Sequence, residues 1–344
     1  MKKTKYLYLV TAILMSMILI VGLTGCGSSD NKSEKTITLK LSHPLPSGSL
    51  YGQAYSEFAK YVEEETKGQI KVQVLPAGSL VSDPQALDTA LQGTVDFIHI
   101  MTPYAAPTIK EITAWEVPGA YSGNKFVELQ KQTQPILDKV FQKYGLTCLG
   151  FTDSNVITFT ANKKVGKCIE TPEDLKGVTI RTAGVWGGKA IENWGGTPVT
   201  IPIGDLPNAL QLGTIDVAFT GWLIVGPNKL YEMAPYVTVT SFQEPTGFLI
   251  MTKKTSNKLN ADQKAAIDRA AARWMEFNHN LSLKLREDFI NTVKSYPGCK
   301  LVVLTPEQNK VFIDQSTEKL LDETLAIAGP EGAEFVKIFR GLRD

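Results

Sequence analysis

One arginine in this chain stands where an anion could be recognised. From Thr171 the sequence reads TPEDLKGVTIR, then a Gly- and Trp-rich turn, then DLPNALQLGTIDVAFTGW from Asp205. Thr171 is a helix N-cap type, Pro172 suits the first helical position and Asp174 the third, so a helix start is expected there. Lys176-Gly177 ends it, and Val178-Thr179-Ile180 reads as a short strand that delivers Arg181 at its carboxyl end. A guanidinium is a rigid fork of donors, charged at any ordinary pH, and it matches a carboxylate held by two hydrogen bonds. In α/β sheets ligands lie beyond the carboxyl ends of strands. On residue type and place alone, Arg181 reads equally as a carboxylate clamp or as a surface salt-bridge arginine.

Other chemistry is hard to assemble. His43, His99 and His279 lie far apart, with no metal-ligand spacing among them. No G-x-S-x-G turn offers a nucleophile. Gly187-Gly188-Lys189 lacks the upstream glycine and the following Ser/Thr of a phosphate loop, and no G-x-G-x-x-G follows a strand. Binding without catalysis is therefore expected, with no metal and no cofactor. The 36 basic and 35 acidic residues nearly cancel, which argues against nucleic acid as a partner.

The elements that must position Arg181 read as two similarly wound units. Ile37 to Ser42 alternates as a strand, and Tyr51, Ala54, Phe58 and Tyr61 recur at helical spacing up to Lys67-Gly68. Ile70 to Leu75 is a second strand; a helix from about Asp83 to Gln92 leads through Gly93-Thr94 into a strand from Val95 to Met101. This β-α-β-α-β succession predicts a largely parallel sheet covered by helices. The junction ALQGTVD at 90–96 then returns as ALQLGTID at 209–216. In both, glycine can end a helix in the left-handed conformation before an Asp enters a strand. Ala261 to Ser295 reads as one helix, opened by the capping pattern Asn260-x-x-Gln263 and long enough to back both units. A strand at Leu301 to Leu304, a helix after Thr305-Pro306 and a terminal helix after Gly329-Pro330 follow.

The amino terminus reads as an export signal over residues 1–25. Lys2, Lys3 and Lys5 precede the apolar run Leu7 to Val21, and Leu23-Thr24-Gly25-Cys26 has the form of a bacterial lipobox. Cys26 is then the lipidated residue, and 26–36 a Gly/Ser/Asn-rich tether that holds the protein on the extracytoplasmic face of the membrane. Cys148, Cys168 and Cys299 remain in the body; Cys148 and Cys168 could pair outside the membrane, but their spacing does not decide it.

Taken together, the chain resembles the solute-binding proteins of TRAP transporters, the tripartite ATP-independent periplasmic systems of the dicarboxylate-binding type. Three pieces carry the resemblance: ALDTALQGTVDF (86–97), ETPEDLKGVTIRTAG (170–184) and ALQLGTIDVAFTGW (209–222). It implies a two-lobed α/β, periplasmic-binding-protein-like fold. The expected features are mixed, mostly parallel sheets, hinge crossover strands and one long helix spanning both lobes. Lobe 1 would be 37–157, completed by about 247–285, and lobe 2 would be 158–246, completed by about 286–344. By the same correspondence Arg181 is the carboxylate anchor. Two departures stand out. Ile157-Thr158 precede Phe159-Thr160 where the family often has a second arginine, and Thr220 stands where many members have an asparagine. With one guanidinium kept and Trp186 and Trp222 close in sequence, the resemblance points to a monocarboxylate with an apolar or aromatic body. Tyr104 and His43, at strand ends of the other lobe, and Asn155, just before the crossover strand, complete the expected ligand-binding set. The expected partners are a small organic acid, TRAP permease subunits and, through Cys26, the membrane. A binding protein of an ATP-driven importer, an extracytoplasmic sensor and, at a distance, a surface hydrolase are the alternative readings.

Overall fold

Two mixed sheets organise the protein, a computed structural model that describes residues 36–153, 156–243 and 246–343. Cys26 and Asn155 lie outside the described residues. The strands are β1 (Ile37–Ser42), β2 (Ile70–Leu75), β3 (Phe97–Met101), β4 (Leu146–Phe151), β5 (Val156–Ala161), β6 (Thr179–Thr182), β7 (Thr197–Thr200), β8 (Val217–Gly221), β9 (Tyr236–Gln243), β10 (Gly247–Thr252) and β11 (Lys300–Val303). The first sheet has the order β2-β1-β3-β10-β4, the second β11-β9-β5-β8-β6-β7. The chain thus builds β1 to β4, crosses to the second sheet for β5 to β9, and returns for β10. Every antiparallel pair contains β5 or β10, the strands that enter a sheet from the other lobe. The remaining pairs are parallel, as connections running back across a sheet require. Both entering strands are buried along their whole length, which is what sheets covered on both faces demand.

The helices used below are α1 (Leu50–Glu65), α2 (Ala86–Gln92), α3 (Phe126–Lys143), α4 (Val185–Asn193), α5 (Leu206–Gln211), α6 (Ala261–Ser295), α7 (Pro306–Leu325) and α8 (Gly329–Gly341). Ser49 caps α1, its Oγ accepting the Gly52 N–H at 3.2 Å. The helix buries Tyr51, Ala54, Tyr55 and Phe58 on the face that meets the first sheet and α6. Asn260 and Gln263 cap α6 reciprocally, each side-chain oxygen accepting the other's backbone N–H. At 1.5 Å per residue α6 runs about 50 Å. It packs along α1 and β4 of the first lobe and reaches β11 of the second. Trp274 of α6 stacks on Tyr55 with ring centres 5.4 Å apart.

The repeated junction does the same work in both lobes. Gly93 (φ 64°) and Gly213 (φ 69°) take the left-handed conformation after α2 and α5. The aspartate that follows each glycine then bonds the neighbouring strand. Asp96 Oδ2 accepts the Lys40 N–H of β1 at 2.9 Å, and Asp216 Oδ2 accepts the Thr179 N–H of β6 at 3.1 Å.

One expectation changes, and one question that the spacing left open is answered. The stretch from about 286 to 344 does not complete the second lobe throughout, because α8 packs on α3 and the segment Lys110–Glu116 of the first lobe. The cause is an aromatic nest in which Phe335 and Phe339 of α8 meet Trp115 edge-on at 5.4 and 5.0 Å, while Phe151 of β4 and Phe248 of β10 close its other sides. Cys148 and Cys168 are free thiols rather than a pair. Cys148 lies in β4 of the first sheet, whereas Cys168 Sγ rests against the carbonyls of Val237 and Lys300 in the second. Among the described residues no helix is long and apolar enough to cross a membrane.

Candidate functional site

Arg181 is the third residue of the four-residue strand β6, between β7 and β8, opposite Val199 and Ala218. The turn before it is a short 3-10 segment, Pro172–Leu175, closed by Asp174, whose Oδ2 accepts the N–H groups of Glu170 and Thr171 at 2.9 Å. The Arg181 side chain is 2% exposed, and its Nε donates to the Ile201 carbonyl at 2.8 Å. A guanidinium this deep is costly to bury unless acceptors meet it, so the position is built for a charge rather than for the surface.

Arg181 lines a small cavity. Glu116 and Pro118 of the first lobe form one wall; Ile157, Phe219 and Thr220 of the second form another. Thr220 is held by its carbonyl, which accepts from Thr158 Oγ1 at 2.9 Å. Among the described residues lining this cavity, Arg181 is the cation. Ile157, in the place of a second arginine, contributes apolar surface instead.

Tyr104 reaches the same region from the first lobe. Its hydroxyl accepts the Ile203 N–H of the second lobe, and both Asp83 and Arg181 act on it electrostatically. Burial raises its hydroxyl pKa above the ordinary range. Two acidic residues that the sequence reading did not single out belong here too. Asp83, which opens the helix leading to α2, is 7% exposed with Oδ1 unpartnered. Burial pushes its carboxyl up to about 7 against the pull of Arg181. Glu116 ends the segment Lys110–Glu116 and is 4% exposed. Its Oε1 accepts the Trp186 N–H at 2.9 Å, with the Gly187 N–H also bonding the carboxylate, at the N-terminus of α4.

The other expected residues are placed elsewhere. Trp186 gives the site its backbone N–H, while its ring lies under Lys189 Nζ at 4.4 Å. Trp222 lines a different pocket, beside Leu50 of α1 and Phe289 of α6. It starts the helical turn after β8, outside the strand's alternation, and is not among the residues lining Thr220's cavity. His43 is buried at 5.3 Å from the Tyr55 ring, close to His99 and Tyr51, and is not among the residues lining the Arg181 cavity. Burial lowers the pKa of His43 to about 4 and of His99 to about 3, so both rings are neutral. His99 Nδ1 and the Tyr55 hydroxyl share a 2.6 Å bond.

Two α/β lobes that meet around a small cavity with a buried arginine in its wall define a class, the two-lobed solute receptors. Comparison with known proteins narrows it. Residues 41–325 match the family described as bacterial extracellular solute-binding protein, family 7 (DctP). The chain belongs to that family. The C4-dicarboxylate-binding periplasmic protein DctP of Rhodobacter capsulatus is 22% identical over 315 residues, spanning 87% of this chain and 92% of that protein. The sugar acid binding protein DctPAm from Advenella mimigardefordensis, in complex with galactonate, shares the fold with a TM-score of 0.80. It is 20% identical, over 90% of this chain and 99% of its own. A TRAP periplasmic solute-binding protein from Desulfovibrio salexigens with bound orotic acid reaches a TM-score of 0.82 at 19% identity, over 90% and 99%.

Proposed function

We propose that this protein captures a compact organic monocarboxylate by closure of the lobe built on the first sheet against the lobe built on the second, with Arg181 clamping the carboxylate. The observation that carries this reading is a buried guanidinium in a small cavity at the lobe boundary, where Arg181 is the lining cation among the described residues. Pro118, Ile157 and Phe219 supply the surface for an apolar body, and apolar burial contributes about 25 cal/mol per Å². A micromolar affinity needs about −8 kcal/mol, within reach of such burial together with one charge-assisted pair after ordering costs. Thr220 and Tyr104 offer hydroxyls for a polar substituent near the carboxylate. Relatives support a range of acids: galactonate and orotic acid each carry one carboxylate, whereas the Rhodobacter protein is named for C4-dicarboxylates. Ile157 in place of a second cation favours the former kind. The loaded protein would pass its ligand to TRAP permease subunits while tethered to the membrane through a lipid on Cys26.

A thermal-shift screen over organic acids identifies the ligand, since stabilisation grows with ligand concentration over Kd. Arg181→Ala should then raise the Kd about 30-fold or more, as removal of one partner of a buried charged pair does. Binding by that variant within threefold of the wild type, measured by calorimetry, would overturn the assignment.

A further inference from the structure

The N-terminus of α4 is already occupied by a carboxylate, and that carboxylate belongs to the protein. Glu116 comes from the first lobe, whereas Trp186 and Gly187, whose N–H groups it accepts, belong to the second. The opening N–H groups of a helix have no intrahelical acceptor and carry the positive end of its dipole, so an anion is favoured there. The fit depends on glycine: a Cβ at Gly184 would lie 2.8 Å from Glu116 Cδ and 2.7 Å from Pro103 Cβ. Burial pushes the Glu116 carboxyl up to about 7 while the two N–H groups pull it down, and Oε1 serves as acceptor in either protonation state.

The charges around the cavity limit what else can enter. Arg181 is the lining cation among the described residues, Glu116 lines the same space, and Asp83 lies within electrostatic reach of Arg181. A ligand carboxylate can pair with Arg181. A second one would face Glu116 with no second cation to meet it and with the α4 donors already engaged.

We propose that Glu116 is a closure- and specificity-determining residue: by bridging the lobes at the α4 N-terminus it stands in for a second ligand carboxylate, so that the closed cavity accepts acids carrying only one. This deepens the reading of Arg181 as clamp and rests on it.

The test uses two pairs of acids that differ only in a terminal methyl or carboxylate: 2-hydroxybutyrate with malate, and 2-oxovalerate with 2-oxoglutarate. Wild type, Glu116→Ala and Glu116→Gln are titrated with all four by calorimetry. The wild type should prefer the monocarboxylate of at least one pair by tenfold or more. Glu116→Ala should bind that monocarboxylate at least tenfold more weakly and bring the ratio within a pair close to one. Glu116→Gln, which keeps an acceptor in the same place, should hold the monocarboxylate within about threefold and fall between the other two in ratio. A merely structural role would weaken both members of a pair alike. Glu116→Ala with an unchanged ratio therefore overturns the proposal. If that variant does not fold, an unchanged ratio in Glu116→Gln does so. A wild type that binds neither monocarboxylate, or prefers the dicarboxylates, overturns the Arg181 reading instead.

Discussion

Gly184→Ala should wedge the lobes apart without harming either. Gly184 has φ −152° and ψ −176°, an extended backbone that alanine adopts freely, so the second lobe alone tolerates the change. The added Cβ would sit 2.7 Å from Pro103 Cβ and 2.8 Å from Glu116 Cδ, where ordinary contact begins at 3.4 Å. Both obstacles belong to the first lobe, and the proline ring has little freedom to yield. Overfilling a packed site costs about 1–3 kcal/mol. That cost falls only on the closed arrangement, so it appears as a loss of ligand affinity of about 5- to 150-fold, at 1.4 kcal/mol per tenfold. Calorimetry with the monocarboxylate that stabilises the wild type most would read this loss. Small-angle scattering would show a smaller ligand-induced compaction, with the ligand-free melting temperature unchanged or slightly raised. The Gly184→Ala/Glu116→Ala double variant should lose less than the product of the single effects, because one of the two obstacles is gone. If Gly184→Ala binds its ligand within twofold of the wild type and still compacts, the ligand-bound form does not bring Gly184 against Pro103 and Glu116, and the closure argument fails.

Further outcomes are expected. His279 of α6 bonds Asp153 at 2.5 Å, which raises the imidazole pKa above its ordinary 6.5. A raised folded-state pKa means that the pair's stabilisation is complete below about pH 6.5 and is lost as pH rises through the higher folded value. His279→Ala should therefore lower the melting temperature more at pH 5.5 than at pH 8.5; an equal drop at both would refute the ion pair's role. Phe339→Ala removes a fully buried ring from the Trp115 nest and should cost about 3–5 kcal/mol in urea unfolding. A cost below about 1 kcal/mol would mean that α8 is not anchored on the first lobe.

Much of this was legible before any coordinates, where the signal is local. The α6 capping box, the apolar spacing of α1, the two Gly-x-x-Asp junctions and the short strand that carries Arg181 are each written within a few residues. What escaped depends on distant partners. Glu116 lies in a 3-10 segment with no clear periodicity, and its acceptor role exists only because residues 186 and 187 arrive from the other lobe. Asp83, followed by Pro84, reads as a helix start and is one, yet nothing nearby in the sequence tells that its carboxylate is buried within reach of Arg181. Trp186 and Trp222 misled for a related reason. An aromatic residue beside such a strand serves the cleft or the core depending on which way it faces, and here neither lines the Arg181 cavity. The terminal helix likewise follows its aromatic contacts rather than its neighbours in sequence.

The paired aspartates give Arg181 a fixed origin. Asp216 holds the N–H of Thr179, and Arg181 follows two residues later, about 6.6 Å along the strand and on the same side. A strand of four residues has too few contacts of its own to resist sliding, and a slip of one would present Ile180 where the guanidinium belongs. Asp96 sets the same mark at Lys40, three residues before His43, in the first lobe. Each lobe therefore fixes its strand register at the same kind of junction. Loops outside the interval between Thr179 and Arg181 can therefore change length without displacing the guanidinium.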